Sequence, residues 1–406
     1  MPEALTLAPS LVGCPSRTTP RNPRLWARTV WFGTAIALNV LIAAVAARQG
    51  GVVGHATEAS LAALCIAVAA RHDGIVRGAF LVGRSVRSYR VHLLIDHLGQ
   101  LHRAMAMAGT AWFAVAIATA GTGDLRRAAG AAVLAILAAM AWTARDAVRG
   151  DRHNRFEVIH RYGGWSALAI LTVLVHGIVA IVLFVVLIAL VVHPWLGVRR
   201  LPVETLRVTR QVIVIALPGR WKAGQFARVS REGREWHSFA VATTGAEGDG
   251  RYCLVIRRAG DWTERLAHDA ECGRASRHLY VRRLRGHGFM HHAQAYRRVL
   301  VVATGAGIGP ALPYLLGRPS VSIRCLWIAR DHCASVGEDL VGRAARGGAL
   351  TLVDTANGRP DVAGYVAELA PRFEAVFVVS NAAVRDQVAR ACEELDVPCY
   401  GPTFDS

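Results

Sequence analysis

Apolar residues dominate the first half of the chain, in runs separated by arginine-rich segments. The runs 29–47, 104–123 and 128–144 contain no Asp, Glu, Lys or Arg, and the run 54–70 is interrupted only by Glu58. Each run approaches the roughly 20 residues that a helix needs to cross the hydrocarbon core of a bilayer. The pattern therefore predicts four membrane-spanning helices at these positions.

A fifth apolar run, 162–198, also lacks Asp, Glu, Lys and Arg. As one helix it would be about 55 Å long at about 1.5 Å per residue, which far exceeds the bilayer core. We expect it to form two short spans that turn at His176 and Gly177. The sequence thus predicts an N-terminal segment (1–25) followed by a membrane all-α six-helix bundle (26–198).

The second half is patterned as a globular protein with two kinds of unit. Short apolar stretches at 206–217, 226–229, 237–242, 252–257 and 278–283 alternate with Gly and charged residues, as in a small antiparallel β-barrel. Later strand stretches, at 299–303, 320–328, 349–353 and 375–379, alternate with helical ones at 310–316, 335–346, 362–369 and 383–395. That alternation predicts a doubly wound α/β unit with a parallel sheet. We therefore expect a barrel over 201–292 and an α/β subdomain over 296–406.

The charge pattern bears on topology. The net charge of +18 comes almost entirely from arginine, because Lys222 is the only lysine. The arginines cluster beside the apolar runs, at 17–28, 71–103, 145–161 and 199–200, which favours topology determinants over a nucleic-acid-binding face. By the positive-inside rule, we expect a multi-pass protein of the inner or plasma membrane with its second half in the cytoplasm. We expect no cleavable signal peptide, because residues 1–25 contain no apolar core segment.

The eight cysteines are scattered along the chain. They form neither CxxC pairs nor the C-x4-C-x2-C run of a plant-type iron–sulfur cluster. We expect neither a built-in ferredoxin nor a disulfide framework.

Two histidines stand at equivalent points of two predicted spans. His102 and His160 each begin a span that runs from the inside to the outside, and each is followed by an arginine. Two facing imidazoles are the ligands of a six-coordinate b-type haem, and guanidinium groups suit its propionates. The alternative is a pair of interfacial histidines that bond to headgroups or backbone. His92 and His97, in the amphipathic segment before the third span, are expected to be solvated.

Two strings in the barrel region are candidates for anion and flavin binding. A strand there, whose backbone amides can meet a flavin edge, carries Trp236, His237, Ser238, Phe239 and Ala240. In the second string a strand ends at Arg257, Gly260 provides a turn, and Asp261 or Thr263 caps a helix. An arginine that faces a helix N-terminus forms a pyrophosphate site. An ordinary capped helix with surface arginines has the same pattern.

A glycine-rich turn follows the first strand of the α/β subdomain. It comprises Thr304, Gly305, Ala306, Gly307, Ile308, Gly309 and Pro310. Glycines let the backbone approach a phosphate closely, and Pro310 suits a first helical turn. Because the turn lies between a strand and a helix, it predicts a nucleotide-binding loop.

Together these strings resemble the NADPH oxidase and ferric reductase superfamily, and within it the TmpA group of membrane flavoproteins. The matching strings are IRRAGDWTERL, HSFA, ATGAGIGPALPYL and LWIARD. The resemblance covers nearly all of residues 90–406 and is strongest over 224–331. It implies a ferredoxin-reductase-like module that takes hydride from NAD(P)H onto FAD. Single electrons would then pass onward, through one haem b at most, to an acceptor that the sequence does not identify.

The resemblance also implies individual roles. His237 and Phe239 would contact the flavin ring, Arg257 the FAD pyrophosphate, and Thr263 a phosphate at its helix cap. The NAD(P)H loop would comprise Gly305, Gly307 and Gly309. Arg330, which follows a strand, could meet a 2′-phosphate and thus favours NADPH. Phe404 would cover the flavin until nicotinamide displaces it.

The sequence departs from the family pattern in three places. Ala240 replaces a Ser or Thr of the first flavin motif, and Ser380-Asn381-Ala382 replaces the Cys-Gly-Pro near the nicotinamide. Ala116 stands where the third span would need its outer haem ligand. The loss of Cys-Gly-Pro favours an alternative, a degenerate, non-catalytic nucleotide-binding sensor or membrane scaffold. Retention of GDWTE and GAGIG favours the enzyme.

Overall fold

The structure is a computed structural model that describes residues 20, 22–48, 51–119, 123–145, 147–148, 153–245, 250–274, 276–317, 321–356, 358 and 360–402. Its first half is helical. The helices are α1 (Pro23–Arg48), α2 (Ala56–Ala69), α3 (Asp73–Ser85), α4 (Tyr89–Asp96), α5 (Leu98–Thr119), α6 (Asp124–Thr143), α7 (His153–Leu171) and α8 (Ile178–Val192).

Helices lie at all six predicted positions, as α1, α2, α5, α6, α7 and α8. Among the described residues, α1, α5, α6 and α8 are long and apolar enough to cross a membrane, and α2 with α3, bent by 60°, could form a fifth span. The first part of α7 carries Arg155, Glu157 and Arg161, and α7 is not among the helices that are long and apolar enough to cross a membrane. The positions of the helices are therefore confirmed, whereas a bundle that crosses a membrane six times stays a prediction.

The run 162–198 does turn where the sequence predicts. Helix α7 ends at Leu171 and α8 begins at Ile178. Gly177 precedes α8 with a φ of 84°, a left-handed conformation that glycine adopts without steric cost. The predicted turn at His176 and Gly177 is therefore confirmed.

The β-barrel follows the helices. Its strands are β1 (Arg199–Pro202), β2 (Thr205–Val208), β3 (Val212–Pro218), β4 (Gln225–Ser230), β5 (His237–Thr244), β6 (Arg251–Arg257), β7 (His278–Val281) and β8 (Gly286–His287). They pair in the order β1-β7-β4-β5-β6-β3-β2, with β8 on β4, and every pairing is antiparallel. Helix α9 (Asp261–Glu271) connects β6 to β7.

The prediction of one barrel strand is wrong. The stretch 206–217 forms two antiparallel strands, β2 and β3, rather than one. The Thr209 hydroxyl accepts hydrogen bonds from the backbone N–H groups of Gln211 and Val212, at 3.3 and 3.1 Å. Such a side-chain turn reverses the chain locally, in competition with a continuous strand.

The last part is an α/β unit, as predicted. Its parallel sheet has the order β11-β10-β9-β12-β13. The elements are β9 (Arg298–Thr304), α10 (Leu312–Leu316), β10 (Ser322–Ala329), α11 (His332–Val336), α12 (Glu338–Ala345), β11 (Leu350–Asp354), α13 (Val362–Leu369), β12 (Ala375–Val379), α14 (Ala382–Glu394) and β13 (Cys399–Tyr400). The predicted helix 335–346 is broken at Gly337, whose φ of 95° does not fit a helix.

The helical half is fixed to the barrel by a buried charge network. Asp73 at the start of α3 accepts a hydrogen bond of 2.8 Å from Arg228 and lies 3.9 Å from Arg282. The Arg282 guanidinium lies over the rings of Trp195 and Trp236, 4.4 and 4.8 Å from their centres. Burial, together with nearby Arg228, lowers the pKa of Arg282 to about 10, so it stays charged at neutral pH. These contacts hold α3 against the strands that carry the site.

Candidate functional site

Strand β5 presents its motif residues to two different surfaces. Because side chains alternate along a strand, His237 and Phe239 share one face and Ser238 the other. His237 and Phe239 pack against Trp262, with ring centres 4.5 and 5.8 Å from it. Ser238 pairs with Arg228 of β4, and both line a cavity on the other face. The candidate flavin string is therefore divided between two faces of β5, with His237 and Phe239 on one face and Ser238 and Ala240 on the other, and its contacts with a flavin stay predictions.

Trp262 is a site residue that the sequence analysis did not single out. It is the second residue of α9 and is only 5% exposed. Its contacts with His237 and Phe239 join the two candidate flavin strings. The sequence does contain a signal for this burial: Trp262 is a large apolar residue between Asp261 and Thr263 at the start of an amphipathic helix, and such a residue typically faces the core.

Arg257 and Arg258 have different surroundings. Arg258 is held by Glu264 and Glu271, at 2.8 and 2.7 Å, and its guanidinium also donates to the Thr209 carbonyl oxygen. Arg257 is exposed at the end of β6 and makes no ion pair with the residues that the structure describes. Since β5 begins at His237 beside the end of the antiparallel strand β6, the two strings lie at the same end of the barrel. Of the two arginines, Arg257 is the one available to an anion.

Thr263 lies in the first turn of α9 and caps the helix N-terminus, as the sequence predicts. Its hydroxyl accepts hydrogen bonds from the N–H groups of Ala259 and Gly260, both at 3.1 Å, and donates to the Gly260 carbonyl oxygen at 2.8 Å. Thr263 is also buried. The hydroxyl therefore shapes the turn before α9. At Gly260, the N-cap of α9, an added Cβ would meet no atom within 4 Å, so the helix N-terminus is open.

The glycine loop forms a tight helical turn directly after β9. Residues Gly305–Ala311 have 3₁₀ geometry, and Gly305 has a φ of 50°. A Cβ on Gly307 would overlap the carbonyl oxygen of Val379 at the end of β12. The loop thus follows the carboxyl edge of the sheet at a distance that only glycine permits.

Three further candidate residues share that edge. The hydroxyls of Thr304 and Ser380, at the ends of β9 and β12, are hydrogen-bonded at 2.8 Å. Ile328 of β10 pairs with Thr304, and Arg330 follows at an exposed position. The carboxyl edge of a parallel sheet is where nucleotides bind in doubly wound folds. The structure therefore brings Thr304, Arg330 and Ser380 to one edge of the parallel sheet, and their contacts with a nucleotide stay predictions.

The glycine loop also packs on the barrel. Ile308 is fully buried in the same apolar cluster as Ala242 of β5. A Cβ on Gly309 would be in ordinary contact, 3.6 Å, with the Cβ of Val255 on β6. The candidate nucleotide loop therefore packs directly against the candidate flavin strands.

A cavity of about 250 Å³ lies on the Ser238 side of the barrel. Its walls come from the helical half, the barrel and the last described residues of the chain, and include Phe80, Asp96, Phe226, Arg228, Ser238 and Pro402. Residues 403–406 lie outside the described part, so the expected position of Phe404 is not tested. Pro402 does bring the chain back to the barrel.

His102 and His160 face each other in the helical half. Their ring centres are 6.3 Å apart, and the ring planes are inclined by 59°. His102 Nδ1 is hydrogen-bonded to the Ala67 carbonyl oxygen at 2.8 Å, which fixes the orientation of the ring. The structure therefore brings the two imidazoles close together, and haem binding by them stays a prediction.

The expectation that His92 and His97 are solvated is wrong. They are 0% and 6% exposed, because α4 packs against α1 and α3 and is hydrogen-bonded to Cys399 and Tyr400 of β13. His92 Nδ1 lies 2.7 Å from the Tyr400 hydroxyl, and its ring stacks on that of His292 with 4.3 Å between centres. Burial, together with the neighbouring His292, lowers the pKa of His92 to about 4. This histidine cluster depends on contacts between distant parts of the chain, which no local pattern indicates.

Comparison with known protein families gives a match in the last part of the chain. Residues 289–406 match the C-terminal domain family of adenylate-forming reductase 03009. Adenylate-forming reductase 03009 of Coprinopsis cinerea is 28% identical over 350 residues, which are 77% of this chain and 33% of that protein. Adenylate-forming reductase 06235 of the same species is 28% identical over 305 residues, 68% of this chain and 28% of that protein. The chain thus spans about a third of the length of these relatives.

Several solved structures are similar to half of the chain. Phthalate dioxygenase reductase has a TM-score of 0.41 at 14% identity, over 50% of this chain and 67% of that one. Ferredoxin-NADP+ reductase from Plasmodium falciparum has a TM-score of 0.38 at 11% identity, over 50% of this chain and 96% of that one. The assignment of a ferredoxin-reductase-like module rests on the strand orders of the barrel and the parallel sheet. The family and relatives support a reductase in this broad sense; they do not establish membership of the NADPH oxidase superfamily or the TmpA group.

Proposed function

We propose that the chain is a membrane-bound, NAD(P)H-dependent flavin oxidoreductase that passes single electrons to an acceptor still to be identified. The observation that carries this proposal is the packing of the glycine loop on β5 and β6, through Ile308 and Gly309. A nucleotide held by the loop and a flavin held by the barrel would share one cleft. The reductase relatives support the same class of chemistry.

Arg257 and the N-terminus of α9 would hold the FAD pyrophosphate, because an unpaired guanidinium and free helical N–H groups both bind anions. The flavin ring would occupy the cavity beside Ser238, with the aromatic group of His237, Phe239 and Trp262 behind the strand. FAD supplies two-electron uptake and one-electron release, which no side chain provides. The chain's own contribution is to orient the ring against the cleft.

The carboxyl edge of the parallel sheet would hold NAD(P)H. Gly305 and Gly307 would let the backbone approach the phosphates, and Arg330 would meet a 2′-phosphate, which favours NADPH. Ser380 replaces the cysteine of the family's Cys-Gly-Pro motif, and its hydroxyl is hydrogen-bonded to that of Thr304. This hydroxyl pair would orient the nicotinamide by hydrogen bonds.

We further propose that the helical half lies in the inner or plasma membrane, with the reductase module in the cytoplasm. The long apolar helices and the arginine distribution support this orientation. Within this arrangement we assign the chain to the NADPH oxidase and ferric reductase superfamily, near the TmpA group. His102 and His160 would hold one haem b, which supplies one-electron transfer when bound.

Ferricyanide reduction tests the proposed activity, because this oxidant takes electrons one at a time. The purified full chain, supplied with FAD, is expected to reduce ferricyanide with NADPH in a reaction that stops when FAD is removed. Absence of FAD-dependent reduction with both NADH and NADPH would contradict the proposal. It would instead favour the second candidate, a nucleotide-binding membrane sensor. The departures from the family motifs at Ala240 and at Ser380-Asn381-Ala382 support this candidate.

Gly307→Ala is expected to weaken NADPH binding, since the new Cβ would overlap the Val379 carbonyl oxygen and push the loop off the sheet edge. Overpacking of this kind costs about 1–3 kcal/mol. The matched control is Gly342→Ala in α12, where an added Cβ meets nothing within 4 Å. Titration of NADPH by fluorescence should show a weaker Kd for Gly307→Ala alone; equal values for the two variants would show that the loop does not bind the nucleotide.

Removal of residues 404–406 is expected to raise flavin fluorescence and to change the KM for NADPH by a few-fold, if Phe404 covers the flavin. Pro402 at the cavity wall supports this placement. A frayed terminus is the alternative. The control is a chain that ends after Phe404 and lacks only Asp405 and Ser406. If both truncated chains match the full chain in fluorescence and kinetics, the tail is only a terminus.

A further inference from the structure

Asp96, the last residue of α4, borders two separate spaces. One is the cavity beside Ser238, and the other is a groove of about 340 Å³ between α4, the start of α1 and the α/β subdomain. The groove is open to solvent, since its Arg24–Asp386 ion pair has side chains that are 56% and 47% exposed. Asp96 therefore lies in the wall between the proposed flavin site and the solvent.

The Asp96 side chain is nearly buried and has a fully buried partner. It is 7% exposed, and His292 Nε2, 0% exposed, lies 3.0 Å from its Oδ1. A carboxylate at a helix C-terminus is disfavoured by the helix dipole, so the dipole of α4 does not stabilise the charged form of Asp96. The contact with His292 compensates for burial and fixes the direction of the carboxylate.

Polar side chains surround this pair, and Arg71 and Arg228 line the adjoining cavity. Tyr89, His92 and Tyr400 face it, and the Tyr400 hydroxyl is hydrogen-bonded to His92 and Tyr296 at 2.7 and 2.6 Å. Burial and the neighbouring histidines lower the pKa of His291 to about 3. Neutral imidazoles and phenols can accept and donate protons without placing net charge beside a flavin.

Buried imidazole nitrogens extend from the pair to the cavity wall. Among the described residues, His287 Nδ1, His291 Nε2 and His292 Nδ1 have no hydrogen-bond partner. His287 lines the cavity, its ring centre is 4.3 Å from that of His291, and burial lowers its pKa to about 4. Buried polar atoms without partners are rare in folded proteins and call for a functional or solvent explanation.

We propose that Asp96, positioned by His292, carries protons between the flavin cavity and the solvent groove. This inference rests on the proposed function. Oxidation of one NAD(P)H by two one-electron acceptors yields NAD(P)+, two reduced acceptors and one proton. Because the electrons leave singly and without protons, that proton must leave the site by a separate route. The Asp96 carboxylate accepts it on the cavity side and releases it on the groove side.

The test uses flavin reduced by light and reoxidised by ferricyanide, so that NAD(P)H is not needed. Asp96→Asn keeps a hydrogen bond to His292 but cannot carry a proton. We expect reoxidation of Asp96→Asn to be slower than that of the wild type by a factor of roughly ten or more, because a positioned proton-transfer group speeds a reaction substantially. Added formate, a small weak acid, should restore part of the rate. Asp386→Asn, in the same groove, should reoxidise at the wild-type rate.

A second readout is independent of rates. The redox difference infrared spectrum of the wild type should contain a carboxyl band that is missing in Asp96→Asn. Reoxidation of Asp96→Asn at the wild-type rate would overturn the relay. A slower rate would also overturn it if formate does not restore the rate and the carboxyl band is still present in Asp96→Asn. Failure of NAD(P)H to reduce a flavin that light does reduce would overturn the proposed function alone.

Discussion

Replacement of Arg257 by alanine should weaken FAD binding more than any other single arginine change in the barrel. Arg257 ends β6 beside the N-terminus of α9, and it makes no ion pair with the described residues. Loss of one charge-assisted phosphate contact costs about 1.5–3 kcal/mol, which corresponds to a factor of about 10 to 150 in Kd. Isothermal titration of the FAD-depleted protein with FAD measures this change directly.

The control for this experiment is Arg343→Ala. Arg343 lies on α12 and pairs with Asp339 of the same helix at 3.5 Å, away from the barrel strings. Its removal should leave FAD affinity unchanged. Arg258→Ala is a less suitable control, because Arg258 holds α9 through Glu264 and Glu271. Equal FAD affinity of Arg257→Ala and the wild type would show that the pyrophosphate does not bind at Arg257.

The haem assignment predicts an all-or-none change. The purified protein, after reduction, is expected to show the absorption of one low-spin b-type haem. His102→Ala and His160→Ala should each abolish it, because a six-coordinate haem needs both imidazoles. The two rings lie close together in the structure, with 6.3 Å between their centres.

His176→Ala is the matched control for the haem experiment. His176 is exposed in the turn before α8, and its Nδ1 lies 2.9 Å from the Leu174 carbonyl oxygen. The haem signal should persist in this variant. A wild-type protein with flavin absorption alone would show that His102 and His160 have a structural role, and the helical half would then be an anchor without haem.

Much of the fold could be predicted because it depends on local patterns. Apolar runs without charge became helices, and the excessive length of 162–198 predicted its turn at His176 and Gly177. The alternation of strand and helix after residue 296 predicted the parallel sheet. The errors arose where one residue decides the backbone: Thr209 reverses the chain between β2 and β3, and Gly337 separates α11 from α12.

The site was less predictable than the fold. The positions of the glycine loop after β9 and of Arg257 at the end of β6 could be predicted, because a strand before a turn and a helix after it form a local pattern. The division of His237 and Ser238 between opposite faces follows from strand geometry, but the surface that each face meets does not. Trp262 and the cluster around His92 and His292 arise from packing between segments far apart in sequence.

The most direct test of the central claim is an anaerobic absorption spectrum of the purified full chain before and after addition of NADPH. The account predicts an oxidised flavin spectrum that bleaches on addition of stoichiometric NADPH, and bleaches far more slowly in Gly307→Ala. FAD that stays oxidised with NADPH and with NADH, yet bleaches with dithionite, would contradict the claim that this chain transfers hydride from NAD(P)H to a flavin.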